Sequence, residues 1–386
     1  MSDGMATEQS TRREGRMEMR ANVVIVGAGP AGLGVARVLH DLGVPDVRIV
    51  ERDKIGASFR AWPKGMRFIS PSFPANAFGL TDLNAISFDS SPAFALRREH
   101  PSGREYAAYL EGAADAFGLS VVTGVEVHGM EPDGDDIVLH TSDGEIHAHF
   151  VIWAAGQFQY PSDGGIPGAE YGIHSSRIAR WEDYAGDDAI IIGGYESGID
   201  AAIGLAAVEK SVTVLSRSPT WELDVSDPSV ALSPYTRQRL HTALQSTPIQ
   251  LIGDADVLGL ERVEGKTRVL TSDGRSFLTP SQPILATGFG GSTSLISDWL
   301  AFDEDGSPLL TPQDESTELP GLFLVGPEVK QQGHLFCFIY KFRQRFAVVA
   351  RAIAGRLGMD TSPLQMYRDN NMFLDDLSCC DDDCVC

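Results

Sequence analysis

Two places in the chain put glycines where a phosphate could meet a main chain. In VVIVGAGPAGLGVA (23–36) an apolar run leads at once to Gly27, Gly29 and Gly32; in AIIIGGYESGIDAA (189–202) a second run leads to Gly193, Gly194 and Gly198. Such a turn serves anion binding. Gly27 permits the tight turn, Gly29 lets a pyrophosphate approach the backbone, and Gly32 allows a helix to pack closely on a strand. Pro30 and Ala31 open that helix, where the missing proline N–H costs nothing, and helix N–H groups then face the diphosphate. The next apolar run, DVRIV (46–50), ends at Glu51 and Arg52, with Glu51 24 residues after Gly27. A carboxylate there accepts hydrogen bonds from a ribose 2′-hydroxyl and repels a 2′-phosphate.

The second unit keeps this grammar with two departures. Its next strand, SVTVL (211–215), ends at Ser216 and Arg217, and Arg217 is 24 residues after Gly193. A hydroxyl and a cation at the place of Glu51 are the signature of a 2′-phosphate, which predicts NADPH rather than NADH. Tyr195 takes the slot where a side chain crowds a pyrophosphate. Gly194 is expected to supply the clearance through a shifted turn, and Ser197 to hydrogen-bond a phosphate or cap the helix. Two readings stand for Tyr195: it lies over the nicotinamide, or it packs at a domain joint.

Thiols are the other reactive groups. Cys337 stands alone, while Cys379, Cys380, Cys384 and Cys386 crowd the last eight of 386 residues. Neighbouring Cα atoms lie about 3.8 Å apart, closer than ordinary disulfides want, so a Cys379–Cys380 bridge would be strained and easily reduced. That makes Cys337, Cys379 and Cys380 candidates for a redox relay. Cys380, Cys384 and Cys386 with the intervening aspartates could instead hold a soft metal such as zinc or copper(I). The third reading is an acidic tail with incidental cysteines.

The elements that must position these groups follow from the apolar pattern. FVIWAAG (150–156) and QPILATG (282–288) read as buried strands ending at Gly156 and Gly288, LPGLFLVGP (319–327) as a strand ending at Gly326, and residues 336–358 as a helix with 3–4 spacing. The expected fold is α/β, with two Rossmann-like dinucleotide-binding domains and the NADPH domain inserted in the first. The expected division is a disordered leader over 1–20, the first domain over 21–165 and 285–375, the NADPH domain over 166–284, and a cysteine-rich tail over 376–386. A formal charge of −22 argues against nucleic acid, which needs a basic footprint. No stretch approaches 18 apolar residues, so no membrane insertion is expected. The N-terminus lacks a secretory apolar region, and the compartment is read as the cytoplasm.

Taken with GASFRAWPKGMRFISPSF (56–73), ILATGF and FCFIYKFRQRF, the two glycine units resemble flavoproteins with two dinucleotide-binding domains, the superfamily of flavin monooxygenases and thioredoxin reductases. Within it the chain looks like bacterial flavoproteins named for association with the CzcD cation-diffusion facilitator. The resemblance implies FAD on the first unit and NADPH on the second, with Gly27, Gly29, Gly32 and Glu51 on the FAD diphosphate and ribose, and Arg60 and Trp62 near the flavin. It implies that the helix near Phe336 aims its N-terminus at the flavin, where its dipole would lower the Cys337 pKa. Relatives carry an aspartate after the closing glycine; here Pro327 follows Gly326, so the ribityl contact is absent or moved to Glu328. The stretch IPGAEYGIHSSRIARW (166–181) is a partial match to a monooxygenase fingerprint around His174. The activity expected first is monooxygenase-like: NADPH reduces FAD, which then serves oxygen and a small substrate. Reduction of a thiol, a low-molecular-weight disulfide or a metal, and non-catalytic redox sensing, are the alternatives, and the resemblance leaves room for a homodimer.

Overall fold

In a computed structural model the structure describes residues 17–73, 81–225 and 229–378. The first apolar run forms β1 (Met17–Val26) and Pro30 opens α1 (Pro30–Asp41); β2 is Val47–Glu51. A capping box at Ser102 and Glu105 starts α2 (Gly103–Ala116). There follow β3 (Val121–Thr123), β4 (Val127–Asp133), β5 (Asp136–Thr141) and β6 (Gly144–Trp153). These strands lie in the order β3-β2-β1-β6-β5-β4. β1 is paired to β6 from Met17↔Gly144 onward, so residues 17–20, expected in a disordered leader, belong to a strand; the rest of that expected leader lies outside the described residues. The backbone of 17–20 finds hydrogen-bond partners on β6, and Met19 packs on the core.

The second sheet comprises β7 (Ile173–His174), β8 (Asp188–Ile192), β9 (Ser211–Leu215) and β10 (Ile249–Ile252), with α3 (Glu196–Ala207) and α4 (Pro234–Ser246) among them. A three-stranded antiparallel sheet, β11 (Val257–Val263), β12 (Lys266–Thr271) and β13 (Ser276–Thr279), interrupts it before β14 (Ile284–Leu285) completes the order β10-β9-β8-β14-β7. The chain then returns: β15 (Leu322–Leu324) pairs in parallel with β6. The inserted α/β architecture expected of the sequence is what the strands form.

Each sheet has its own core. Val23–Ile25, Ile152, Trp153 and Phe346 are buried in the first, and Ile191, Ile199, Leu205 and Val214 in the second. Gly34 exists for this packing, since a Cβ there would overlap the Phe346 ring. The long helix expected over 336–358 is broken into α5 (Ile339–Phe342), a 3-10 turn and α6 (Phe346–Arg356), and it starts three residues late. Residues 334–335 pair instead with 330–331 in a two-stranded ribbon, which keeps the chain extended up to Phe338. Among the described residues no helix is long and apolar enough to cross a membrane.

Candidate functional site

The two glycine turns share one backbone geometry. Gly27 and Gly193 sit at φ of +106° and +109°, where L side chains are strained. A Cβ on either would also press on a strand-end carbonyl, Ala154 O or Ala286 O. Any side chain on Gly32 or Gly198 would overlap the carbonyl oxygen of Gly27 or Gly193. Gly29 (φ −85°, ψ −173°) and Tyr195 (φ −98°, ψ −166°) cap their helices in the same extended form, which any residue adopts. Space is what distinguishes them. A Cβ on Gly29 would meet nothing within 4 Å, while the half-buried Tyr195 packs on the second core.

The first turn opens onto a cavity of about 1110 Å³, and the second reaches it through Tyr195 and Ser197, while Gly193, Gly194 and Gly198 are not in its wall. Gly27, Gly29, Pro30, Ala31, Glu51 and Arg52 form its wall at the first turn, and Tyr195 and Ser197 at the second. Gly156 and Gly288 border it at the strand ends, and Trp62 and Cys337 complete the expected residues found there. The Glu51 carboxylate is fixed at the rim, accepting from Ala28 N at 2.8 Å and Asp53 N at 2.9 Å. Arg52 reaches Glu126 at 3.3 Å. Trp62 leans on Phe59 and Phe68, ring centroids 5.0 Å away in each case. An open cradle over a helix N-terminus, with a carboxylate at its rim, fits the diphosphate and ribose of a dinucleotide.

Other expected residues lie elsewhere. Arg60 is drawn off by Glu111 on α2 and stands outside the wall. Gly194 does not provide clearance for a ligand: its Cβ would strike Ser216 and Trp221, so the glycine serves packing beneath the turn. Ser216 is buried and donates to Ser218 O at 2.7 Å. Arg217 is 83% exposed, with Asp256 at 3.9 Å. Ser197 sits in the first turn of α3, and no side chain caps that helix. Gly326 packs beside Ala31, and Pro327 lines the cavity.

Glu328 does not replace the missing aspartate. Its carboxylate accepts from the main chain and hydroxyls of Ser292 and Thr293, at 2.7–3.3 Å. Trp153 Nε1 donates to the same Ser292 hydroxyl at 3.0 Å. The residue is a structural clamp and is not part of the cavity wall.

His174 is also structural. It is buried; Nε2 donates to Gly288 O at 2.9 Å while Nδ1 accepts from the Ser176 hydroxyl at 2.7 Å. Burial pushes its pKa down, against the Gly288 carbonyl and with help from Arg177. The unfolded chain therefore binds the proton more readily, so the stability this site contributes is complete above about pH 6.5 and declines as pH falls through the lower folded value. Thermal unfolding between pH 8 and pH 5 is expected to show wild type losing more stability than His174→Gln; equal losses would contradict the assignment.

Cys337 places Sγ 3.5 Å from Ser229 Oγ. It stands in extended chain before the cap Phe338, not within the first turn of a helix. Cys379, Cys380, Cys384 and Cys386, the relay and metal candidates, lie outside the described residues. Among the described residues no cluster of His, Cys, Asp and Glu has the makings of a metal site.

The structure adds wall residues that the sequence reading passed over: Arg67, Glu196, Asp200 and Thr236. Burial pushes Glu196 and Asp200 up. Glu196 accepts from Ser233 N and the Thr236 hydroxyl, tying α4 to α3. The signal available was Asp200 itself, a carboxylate inside the apolar stretch GIDAA.

Residues 24–326 match the family model described as pyridine nucleotide-disulphide oxidoreductase. The chain is 27% identical over 357 residues to a ferredoxin–NADP reductase of Gluconacetobacter diazotrophicus, covering 89% of this chain and 94% of that one. It is 24% identical to an uncharacterized CzcO-like oxidoreductase of Geobacillus kaustophilus, covering 80% and 92%. The fold matches that of the bacillithiol disulfide reductase Bdr of Staphylococcus aureus with a TM-score of 0.73 at 20% identity, over 88% and 99% of the two chains. The shared turns, the joint cavity and the family match lead to one conclusion: the chain belongs to the pyridine nucleotide-disulphide oxidoreductase family, the flavin-dependent NAD(P)H oxidoreductases.

Proposed function

We propose that the chain is a monooxygenase-like enzyme: the shared cavity brings NADPH to FAD, the electron pair of NADPH reduces dioxygen, and one oxygen atom goes to a small apolar substrate while the other leaves as water. The observation that supports this reading is that both turns contribute to one cavity wall, Gly27 and Gly29 from the first and Tyr195 and Ser197 from the second. When bound, FAD supplies a two-electron store that takes hydride from a nicotinamide.

The chain's own residues bind and orient. Gly27, Gly29 and Gly32 hold the FAD diphosphate against α1, and Glu51 takes the ribose hydroxyls, with Arg52 beside it. Gly193, Ser197 and Gly198 hold the second diphosphate against α3. Tyr195 stands over the nicotinamide side of the wall. Arg217 meets the 2′-phosphate, since Ser216 has spent its hydroxyl on Ser218. Phe59, Trp62, Phe158, Phe289 and Phe338 line the same cavity; they exclude water and admit an apolar substrate.

A second reading has one observation in its favour: Cys337 borders the cavity, where a disulfide between it and a second cysteine could take the electron pair and the two resulting thiols could pass it to an outside disulfide. Bdr, with the same fold, is named for reducing one. An anaerobic titration with NADPH, counting electrons taken up per FAD, separates the two. Uptake of about two leaves the flavin as the sole store, as proposed. Uptake of about four, falling to about two in Cys337→Ser, replaces the monooxygenase reading with a disulfide relay.

A further inference from the structure

We propose that Asp200 Oδ2 and the Arg67 guanidinium, reaching the cavity from opposite domains, hold the carboxamide of the nicotinamide ring as acceptor and donor. The inference rests on the reading that NADPH enters this cavity. It begins from an unsatisfied atom. Asp200 is 7% exposed and lines the cavity. Its Oδ1 accepts from Arg239 Nη1 at 2.6 Å, while its buried Oδ2 has no hydrogen-bond partner. A buried carboxylate oxygen left this way is costly, and a ligand that brings an N–H removes the cost. Neighbouring Glu196 has no such need, because Ser233 and Thr236 already serve its two oxygens.

Arg67 comes from the first domain and borders the same cavity. Its bonds to Lys64 O and Met66 O, 2.9 Å each, both run through Nη1. Its charge is felt at Asp200, helping Arg239 to oppose the upward push of burial. Between them the pair offers one acceptor and one donor-only fork. The complementary head group carries an N–H and a C=O on one plane, which is a primary carboxamide. Direction agrees: Asp200 lies one turn along α3 from Glu196, the first residue of the helix. The cavity joins the start of α3 to Arg67 of the first domain, so a dinucleotide anchored by its diphosphate there would have its nicotinamide within reach of both residues.

The test is equilibrium binding of NADP⁺ and of its 3-acetylpyridine analogue, in which a methyl replaces the amide NH₂, to the FAD-loaded protein. Wild type is expected to favour NADP⁺ by about tenfold, because a site built for an N–H is left unpaired by the analogue. Asp200→Asn keeps the shape but reverses the polarity. Arg239 is a donor only and claims the asparagine oxygen, which turns the NH₂ towards the ligand. The preference is then expected to shrink to within about twofold. A wild-type ratio near one, or an Asp200→Asn ratio equal to that of wild type, would overturn the proposal. If wild type bound neither nucleotide, the assignment of NADPH to the cavity would fall first and take this inference with it.

Discussion

Gly29→Val is expected to give a folded protein that no longer retains its flavin. The substitution costs the protein itself only the N-cap preference for glycine over valine, because the backbone there is extended and an added Cβ meets no atom within 4 Å. The new side chain would project into the cavity at the start of α1, in the space read here as that of the FAD diphosphate. Losing backbone contact with two phosphates should weaken FAD by on the order of 100-fold, about 2.7 kcal/mol. The checks are far-UV circular dichroism unchanged from wild type and visible flavin absorbance lost on gel filtration. Gly32→Val makes the contrast, since its side chain overlaps Gly27 O and the turn itself should fail. A Gly29→Val protein that kept its FAD would mean that the cofactor lies elsewhere.

Arg345→Met should cost the protein a large part of its stability. The Arg345 guanidinium, 2% exposed, makes two bonds of 2.9 Å to Asp314, whose side chain is fully buried. Its remaining bonds go to Leu374 O and Pro312 O at 2.7 Å each. Gln331 also donates to Asp314, at 2.7 Å. The network thereby fastens the end of the described chain to the segment before β15. Removing the cation strands a carboxylate that burial already pushes up, a loss of about 3–5 kcal/mol. Chemical denaturation should show it as a fall in midpoint. The double variant Arg345→Met, Asp314→Asn should recover part of that loss: no unpaired charge then remains buried, and asparagine tolerates the left-handed φ of +61° that residue 314 holds.

What could be read in the sequence followed from how local each feature is. Both glycine turns are legible because strand, turn and helix are consecutive, and Gly27, Gly32, Gly193 and Gly198 are required by atoms a few residues away or by the strand next to them. The return of β15 to the first sheet was legible as an apolar run ending in glycine. Failures came where the deciding partner is distant in sequence. Glu328 was a reasonable stand-in for an aspartate until Ser292 and Thr293 claimed it. Arg60 was expected at the flavin, but Glu111 holds it. His174 matched a fingerprint, yet its role is to fix the Gly288 carbonyl. Asp200 and Arg67 went unnoticed because the cavity that joins them forms only when the two domains meet.

The central claim is that NADPH and FAD meet in one cavity. It is tested most directly by mixing the purified, FAD-loaded protein with NADPH in the absence of oxygen and following the flavin absorbance near 450 nm. Bleaching is expected to be prompt with NADPH and much slower with NADH, since Arg217 takes the place in the second unit that Glu51 takes in the first. A flavin that stays oxidised with both nucleotides would contradict it.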